Sequence, residues 1–311
     1  MESWVEKAES LYEKQCVEWP LLADNVAALK KMKVRALQTD GGVLYLQYNP
    51  ERIRSATART DATSLADRPC FLCETNRPAV QRALNFGTDY VLLCNPYPVF
   101  PYHYTIAARA HCPQRIVGRL EDLFLLARAL PDYFVFYNGA ECGASAPDHF
   151  HFQAAPLQSI PLWNEWHATP SQWVKRCSEG EVGYLYHYCR AAYWIRSHSI
   201  DFCKKNVAEI LSILGQNSAT DSAEPKINIV LCDCEEGYLC FLFPRKQHRP
   251  SCYFASGDSQ FLISPASVEM AGVFPLVREA DFENMTVEVL FSIYKEVTLA
   301  GKRMENGPDR R

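Results

Sequence analysis

The segment Asp148-His149-Phe150-His151-Phe152-Gln153 limits the fold more than any other stretch of the chain. Its aromatic and polar residues alternate with a period of two, the period of a β-strand. On such a strand His149, His151 and Gln153 share one face, and Phe150 and Phe152 share the other. The phenylalanine face has to pack against a core. The other face sets two imidazoles and an amide in a row, which is costly to bury unless partners are supplied. The chain must therefore build a sheet that is packed on one side and holds a polar site on the other. Just upstream, Gly143-Ala144-Ser145 are small enough for their backbone N–H groups to approach an anion.

The remaining pattern is a mixture of paired strands and separate helices. Apolar residues recur at helical spacing over 3–17, 114–130 (Ile116, Leu120, Leu123, Ala127, Leu130), 203–214 and 286–299. Strands are predicted at 34–38 and 43–47 around the turn Thr39-Asp40-Gly41-Gly42. A second pair, 90–94 and 103–107, flanks the rigid turn Asn95-Pro96-Tyr97-Pro98. Further strands are predicted at 133–137, 149–154, 226–232, 238–243, 253–254 and 273–277. Residues 50–68 read as a polar surface loop, 215–225 as a polar linker, and the aromatic-rich stretch 157–200 has no dominant period. Hairpin-like pairs with helices between groups predict an α+β fold with antiparallel sheets and flanking helices, not a doubly wound parallel sheet. The glycine-rich phosphate loops of nucleotide folds have no counterpart in the chain.

Composition narrows the function. Of the 311 residues 48% are apolar and 22% charged, values of a globular protein. The formal net charge of −4 argues against a nucleic-acid groove, and the lack of a long apolar run against a membrane span. The opening MESWVEKAESLYEKQ has no basic stretch followed by an apolar one, so the chain is expected to be cytoplasmic. Thirteen cysteines, an odd number, are then mostly reduced and buried rather than paired in disulfides.

Two groups of residues carry chemistry. An imidazole is mostly neutral and nucleophilic near pH 7, and it can displace a leaving group from an α-phosphate and hold the nucleotidyl group. An amide beside it can donate to phosphoryl oxygens. The plainer alternative is a pair of hydrogen-bonded histidines on a half-exposed strand. Cys70-Phe71-Leu72-Cys73 has the spacing at which two thiolates reach one tetrahedral metal. A redox pair shares that spacing, but the polar loop before it and Glu74-Thr75-Asn76-Arg77-Pro78 after it do not fit a redox strand and helix.

Gly143-Ala144-Ser145-Ala146-Pro147-Asp148-His149-Phe150-His151-Phe152-Gln153 resembles the HxHxQ signature of the nucleotidyltransferase branch of the histidine-triad superfamily, which includes GDP-hexose phosphorylases, galactose-1-phosphate uridylyltransferase and diadenosine tetraphosphate phosphorylase. Three more segments resemble that branch in the same order: Gln47-Tyr48-Asn49-Pro50-Glu51-Arg52, Asn95-Pro96-Tyr97-Pro98 followed by His103, and Ser264 to Gly272. Phe150 between the histidines resembles the GDP-hexose enzymes, since the uridylyltransferase has proline there.

The resemblance implies two histidine-triad-like lobes in one chain. Residues 1–160 would carry the HxHxQ strand, 161–224 a connector, and 225–311 a degenerate second lobe. It implies His151 as nucleophile, Gln153 as support for the phosphoryl oxygens, and Asn95, Asn138, Gly143 and Ser145 as substrate contacts. It implies a Zn2+ ion, structural rather than catalytic, on Cys70, Cys73, His111 and His149. The implied reaction moves a nucleoside monophosphate from a nucleotide sugar, GDP-hexose favoured, to phosphate or a sugar 1-phosphate, with one site per chain so that a monomer suffices. The alternatives are a dinucleoside polyphosphate phosphorylase or hydrolase, or a non-catalytic zinc-stapled nucleotide-binding protein.

Arg245 and Lys246 in Phe243–Arg249 read either as a solvated strand end or as phosphate contacts, and Arg52 and Arg54 invite the same two readings. Cys232, Cys234 and Cys240 read as thiols rather than a second metal cluster, and the tryptophans and tyrosines of 163–194 as core rather than base-stacking platforms.

Overall fold

The computed structural model describes residues 2–53, 62–166, 171, 173–185, 190–216 and 224–299. Thirteen strands are described: β1 (Lys33–Thr39), β2 (Gly42–Tyr48), β3 (Ala83–Phe86), β4 (Tyr90–Cys94), β5 (Tyr104–Ala108), β6 (Tyr133–Asn138), β7 (His151–Pro156), β8 (Trp173–Cys177), β9 (Gly180–Leu185), β10 (Ala192–Ser197), β11 (Ile227–Cys234), β12 (Gly237–Pro244) and β13 (Val273–Leu276). Ten of them form one antiparallel sheet in the order β3-β4-β5-β7-β6-β11-β12-β10-β9-β8. The order is one motif used twice. β3-β4-β5-β7-β6 and β8-β9-β10-β12-β11 are both three-strand meanders followed by a swapped pair. In each, a helix precedes that pair: Leu120–Ala129 between β5 and β6, Ile200–Gln216 between β10 and β11. The two units meet edge to edge, with Asn138 opposite Asn228 and Val135 opposite Leu231. The fold is thus α+β, built on antiparallel pairing.

One face of the sheet packs on helices Trp4–Glu18, Leu120–Ala129 and Ile200–Gln216 through Leu11, Leu123, Phe124, Val207 and Ile210. Phe150 and Phe152 belong to this core, their rings 4.8 Å apart. Burying each contributes roughly 1.5–3 kcal/mol. The other face packs on Val287–Val297 and on a small sheet, β1-β2-β13, through Leu44, Leu46, Phe274, Leu290 and Tyr294. β13 runs parallel to β2, and this sheet stands over the polar side of β6 and β7.

Several elements differ from the sequence reading. The helix expected from Gln114 starts only at Leu120. Pro113 has no N–H to donate, and Gly118 adopts φ +82°, so the chain between them stays extended. Tyr253–Phe254, expected as a strand, closes a short helix Ser251–Phe254 instead, with Phe254 73% exposed and no strand beside it. Of the expected polar loop, Pro50–Arg52 is a 3-10 turn and Ala62–Asp67 a helix. Arg54 lies outside the described residues, as does most of the polar stretch 215–225. The aromatic run that had no clear period contains β8, β9 and β10. Trp166, Tyr184, Tyr193 and Trp194 are core residues, and Tyr186 and Tyr188 lie outside the described residues. Cys232 and Cys240 are buried in the two cores. No described helix is long and apolar enough to cross a membrane.

Candidate active site

β7 begins at His151, two residues later than expected, and this separates the two histidines. His149 stands before the strand, its N–H on the Ala146 carbonyl, so strand alternation does not put it on the face of His151. Its ring turns to Cys70 and Cys73. Nδ1 lies 3.2 Å from Cys70 Sγ, 3.5 Å from Cys73 Sγ and 3.3 Å from His111 Nδ1, and Cys73 Sγ lies 3.3 Å from His111 Nδ1. With metal–nitrogen bonds of about 2.05 Å and metal–sulfur bonds of about 2.3 Å, the edges of a tetrahedron are about 3.3 Å between nitrogens and about 3.6 Å between nitrogen and sulfur. These four separations are close to those edges, and all four ligand atoms lie within 4.8 Å of one another, so the side chains can hold a metal ion. The His149 Nε2–H donates to the Ala108 carbonyl at 2.7 Å, which leaves Nδ1 as the ligating atom. Burial raises the Cys70 thiol pKa. The contact with His149 and hydrogen bonds from the Leu72 and Cys73 N–H groups outweigh it and bring the thiol down to about 6.

The same residue steers His151. The His149 carbonyl lies 2.9 Å from His151 Nδ1, so the ring is protonated there and Nε2 carries the lone pair. Among the described residues Nε2 has no hydrogen-bond partner. The ring as a whole is only 3% exposed. Burial pushes its pKa down to about 4, against the pull of the His149 carbonyl, and it is neutral at pH 7.

A polar cavity opens between the large sheet and the C-terminal segments. Gln153, two residues along β7, lines it, with Asn138 of β6, Gly143-Ala144-Ser145, Asn95 and His103. His151, two residues before Gln153 on the same strand, is buried and is not itself one of the lining residues. Gly143 has φ +93°, and a Cβ there would lie 2.4 Å from Ala266 Cβ, so glycine lets the two walls meet.

Three side-chain amides in this cavity are oriented by the protein itself. Asn95 Oδ1 accepts from the Tyr97 N–H at 3.0 Å. Asn138 Oδ1 accepts from the Ser267 N–H at 2.8 Å and from Asn228 Nδ2 at 2.9 Å. For Gln153 the chain is longer. The Val99 N–H donates to His103 Nδ1 at 3.1 Å, so His103 is protonated at Nε2 and donates to Gln153 Oε1 at 2.9 Å. Each oxygen is occupied, and each NH2 group faces the cavity without a partner among the described residues.

The cavity also holds two guanidinium groups, Arg52 and Arg249. Burial lowers the Arg52 pKa to about 10, opposed by Glu269, so Arg52 remains a cation. Burial pushes His248 down to about 4, with Arg249 and Arg245 adding to it, so His248 is neutral. Glu269 is the carboxylate among the lining residues. Burial raises its pKa, while the Ala266 N–H bond at 2.8 Å opposes the rise. Amide donors and two guanidiniums against one shielded carboxylate suit a multiply charged anion.

Two expected contacts do not belong here. Arg245 is buried and spends its guanidinium on the carbonyls of Val297, Pro265, Gln247 and His248 and on Asn228 Oδ1, so it braces the strand end and has no donor left for phosphate. Lys246 is exposed and does not line the cavity. The cations that do are Arg249, three positions on, and Arg52. His103 entered the sequence reading only within the Asn95-Pro96-Tyr97-Pro98 likeness and His248 only within Phe243–Arg249, and neither was given a role. For His103 the signal was present, because the Asn95-Pro96-Tyr97-Pro98 turn places it opposite Asn95.

Comparison with known proteins follows this geometry. Residues 11–156 match the family model of a domain of unknown function (DUF4922), and residues 169–306 match the model described as GDPGP1-like, C-terminal domain. No curated protein matches the chain. Among solved structures, yeast Ap4A phosphorylase superposes with a TM-score of 0.60 at 17% identity, covering 91% of this chain and 97% of that one. The same yeast enzyme in complex with Ap4A gives 0.62 at 15% identity, covering 97% and 100%. The chain therefore has the same fold as yeast Ap4A phosphorylase.

Proposed function

We propose that the chain is a nucleotidyltransferase working through a covalent nucleotidyl-His151. The observation that carries the reading is the His151 ring. Its Nδ1 is tied to the His149 carbonyl, its Nε2 is unbonded among the described residues, and Gln153, two residues along the same strand, lines a cavity of amide donors and two guanidiniums. His151 Nε2 attacks the α-phosphorus of a nucleotide sugar. The bond from phosphorus to the β-phosphate oxygen breaks, and sugar 1-phosphate leaves. The NH2 groups of Gln153, Asn138 and Asn95 face the phosphoryl oxygens as charge moves onto them. An oxygen of phosphate, or of a second sugar 1-phosphate, then attacks the same phosphorus from the open side and releases His151.

A GDP-hexose donor is favoured by the GDPGP1-like match over residues 169–306. A dinucleoside polyphosphate is the second reading, supported by the likeness to yeast Ap4A phosphorylase. In either case Cys70, Cys73, His111 and His149 would hold a structural Zn2+. Four protein donors fill a tetrahedral shell and leave no place for a reacting water. We assign the nucleophile to the first lobe, to about residue 160. Arg249 from the second lobe completes the site, so one chain supplies one whole site, in a cytoplasmic setting that keeps the thiols reduced.

The test uses nucleotide sugars and dinucleoside polyphosphates labelled at the α-phosphate. Wild type should form an acid-labile labelled adduct, and His151→Asn should form none. Equal labelling of the two would refute the role of His151. The donor that labels fastest, and is discharged by phosphate, identifies the substrate class.

A further inference from the structure

Gln114 was expected on a helix face and instead lies fully buried between two strands. The register of β6 and β7 pairs Tyr133 with Pro156 and Phe136 with Gln153. Carried two residues on, it sets Asn138 opposite His151, but the ladder stops before that step. On its other side β7 still pairs with β5, where the Ala108 N–H donates to the Phe150 carbonyl at 2.9 Å. Backbone groups alternate sides along a strand, so the N–H and C=O of His151 point toward β6. Both are taken by Gln114. Its Oε1 accepts from the His151 N–H at 2.8 Å, and its Nε2 donates to the His151 carbonyl at 2.9 Å and to the Asn138 carbonyl at 3.0 Å.

A side chain thus replaces the ladder at the one step that carries the proposed nucleophile and a cavity amide. Two backbones bridged by an amide stand further apart than the roughly 4.8 Å of a paired ladder. Gln114 is itself held at both ends. Its N–H donates to the Pro147 carbonyl at 3.1 Å, and its carbonyl accepts from Tyr137 Oη at 3.2 Å.

We infer that Gln114 is a positioning residue, an amide wedge that holds β6 and β7 open at Asn138 and His151 and fixes the backbone from which the nucleophilic ring projects. The inference rests on the transferase reading above. The wedge acts through hydrogen bonds, not bulk, and this separates it from simple core packing.

Gln114→Met keeps length and volume and removes every side-chain hydrogen bond while leaving the two backbone ones. The rate of adduct formation in a single turnover is compared with the dissociation constant for the same labelled nucleotide. Positioning predicts that the rate falls by about 100-fold, as expected for a small misplacement of a reacting group, while the dissociation constant changes by less than about threefold. A folded variant that reacts within about threefold of wild type, or whose rate and affinity fall by the same factor, overturns the inference. Should Gln114→Met fail to fold, Gln114→Glu takes its place. It keeps an acceptor for the His151 N–H but loses both donations, and a wild-type rate there overturns the wedge equally. Wild type that forms no adduct would instead overturn the transferase reading.

Discussion

Asn95, Asn138 and Gln153 present NH2 groups to one cavity because a donor anchored to the backbone has claimed each amide oxygen. That arrangement is set before any ligand arrives, which is what preorganised stabilisation of developing charge requires. It also makes His103 a key to Gln153, although His103 is not assigned to the reaction. His103→Phe removes the Nε2–H donor and frees the Gln153 amide to turn its oxygen inward. Adduct formation should then slow by about 100-fold, the usual effect of losing one oriented donor. A rate equal to wild type would show that Gln153 is held by something else. The same burial predicts a pH effect. His103 is pushed down to about 3 by burial and then by Arg52, and His248 down to about 4 by burial and the neighbouring arginines. Both lie below the value of roughly 6.5 in an unfolded chain. The unfolded state therefore takes up protons first as pH falls. Stability is full above about pH 6.5 and falls below it, by up to roughly 1.4 kcal/mol per pH unit for each ring. Denaturant midpoints from pH 7.5 to about 5 check this, and a flat profile would contradict neutral burial of these rings. At this scale the convergence of Gln153, Asn138 and Ser145 on one cavity was legible from side-chain chemistry and family likeness. Arg245 was not, because sequence cannot say that five acceptors converge on one guanidinium.

At the scale of elements, the turn before β7 does two tasks with one residue. His149 directs its ring to the cysteines and its carbonyl to His151. Metal removal should therefore reach the nucleophile through one residue of backbone. Protein purified without chelator is expected to carry about one zinc per chain, and stripping it should lower the melting temperature and slow adduct formation together. Less than about 0.2 zinc per chain, or stripped protein of unchanged stability and rate, would count against the site. The strand of alternating Phe and His was legible, but its starting point was not. Starting β7 at His151 depends on Phe150 N–H reaching the Cys112 carbonyl, a contact between distant residues. The helix expected from Gln114 failed for a like reason. Its apolar spacing continues back to Ile116, but Gly118 turns the chain and Gln114 satisfies the open ends of two strands better than it could a helix face.

Across the whole molecule, the repeated five-strand unit brings residues from both halves of the chain to one cavity. The first unit gives the strand with His151 and Gln153, and the second brings its strand-end loop with His248 and Arg249 over the same cavity. Antiparallel pairing was readable from hairpin-like strand pairs. The repeat itself was hidden because β8, β9 and β10 lie in an aromatic run with no clean alternation, buried on both sides at Tyr184, Tyr193 and Trp194. The Ap4A phosphorylase likeness extends over nearly the whole chain, so the fold is common to both proteins, and the fold alone does not set the chemistry. The central claim is a bond between one ring nitrogen and a nucleotide phosphorus. Intact-mass measurement after mixing with GDP-hexose, followed by peptide mapping without acid, tests it directly. The account predicts a gain of one nucleoside monophosphate, located on His151 and discharged by phosphate. No gain with any nucleotide sugar or dinucleoside polyphosphate, or a gain located on another residue, would contradict it.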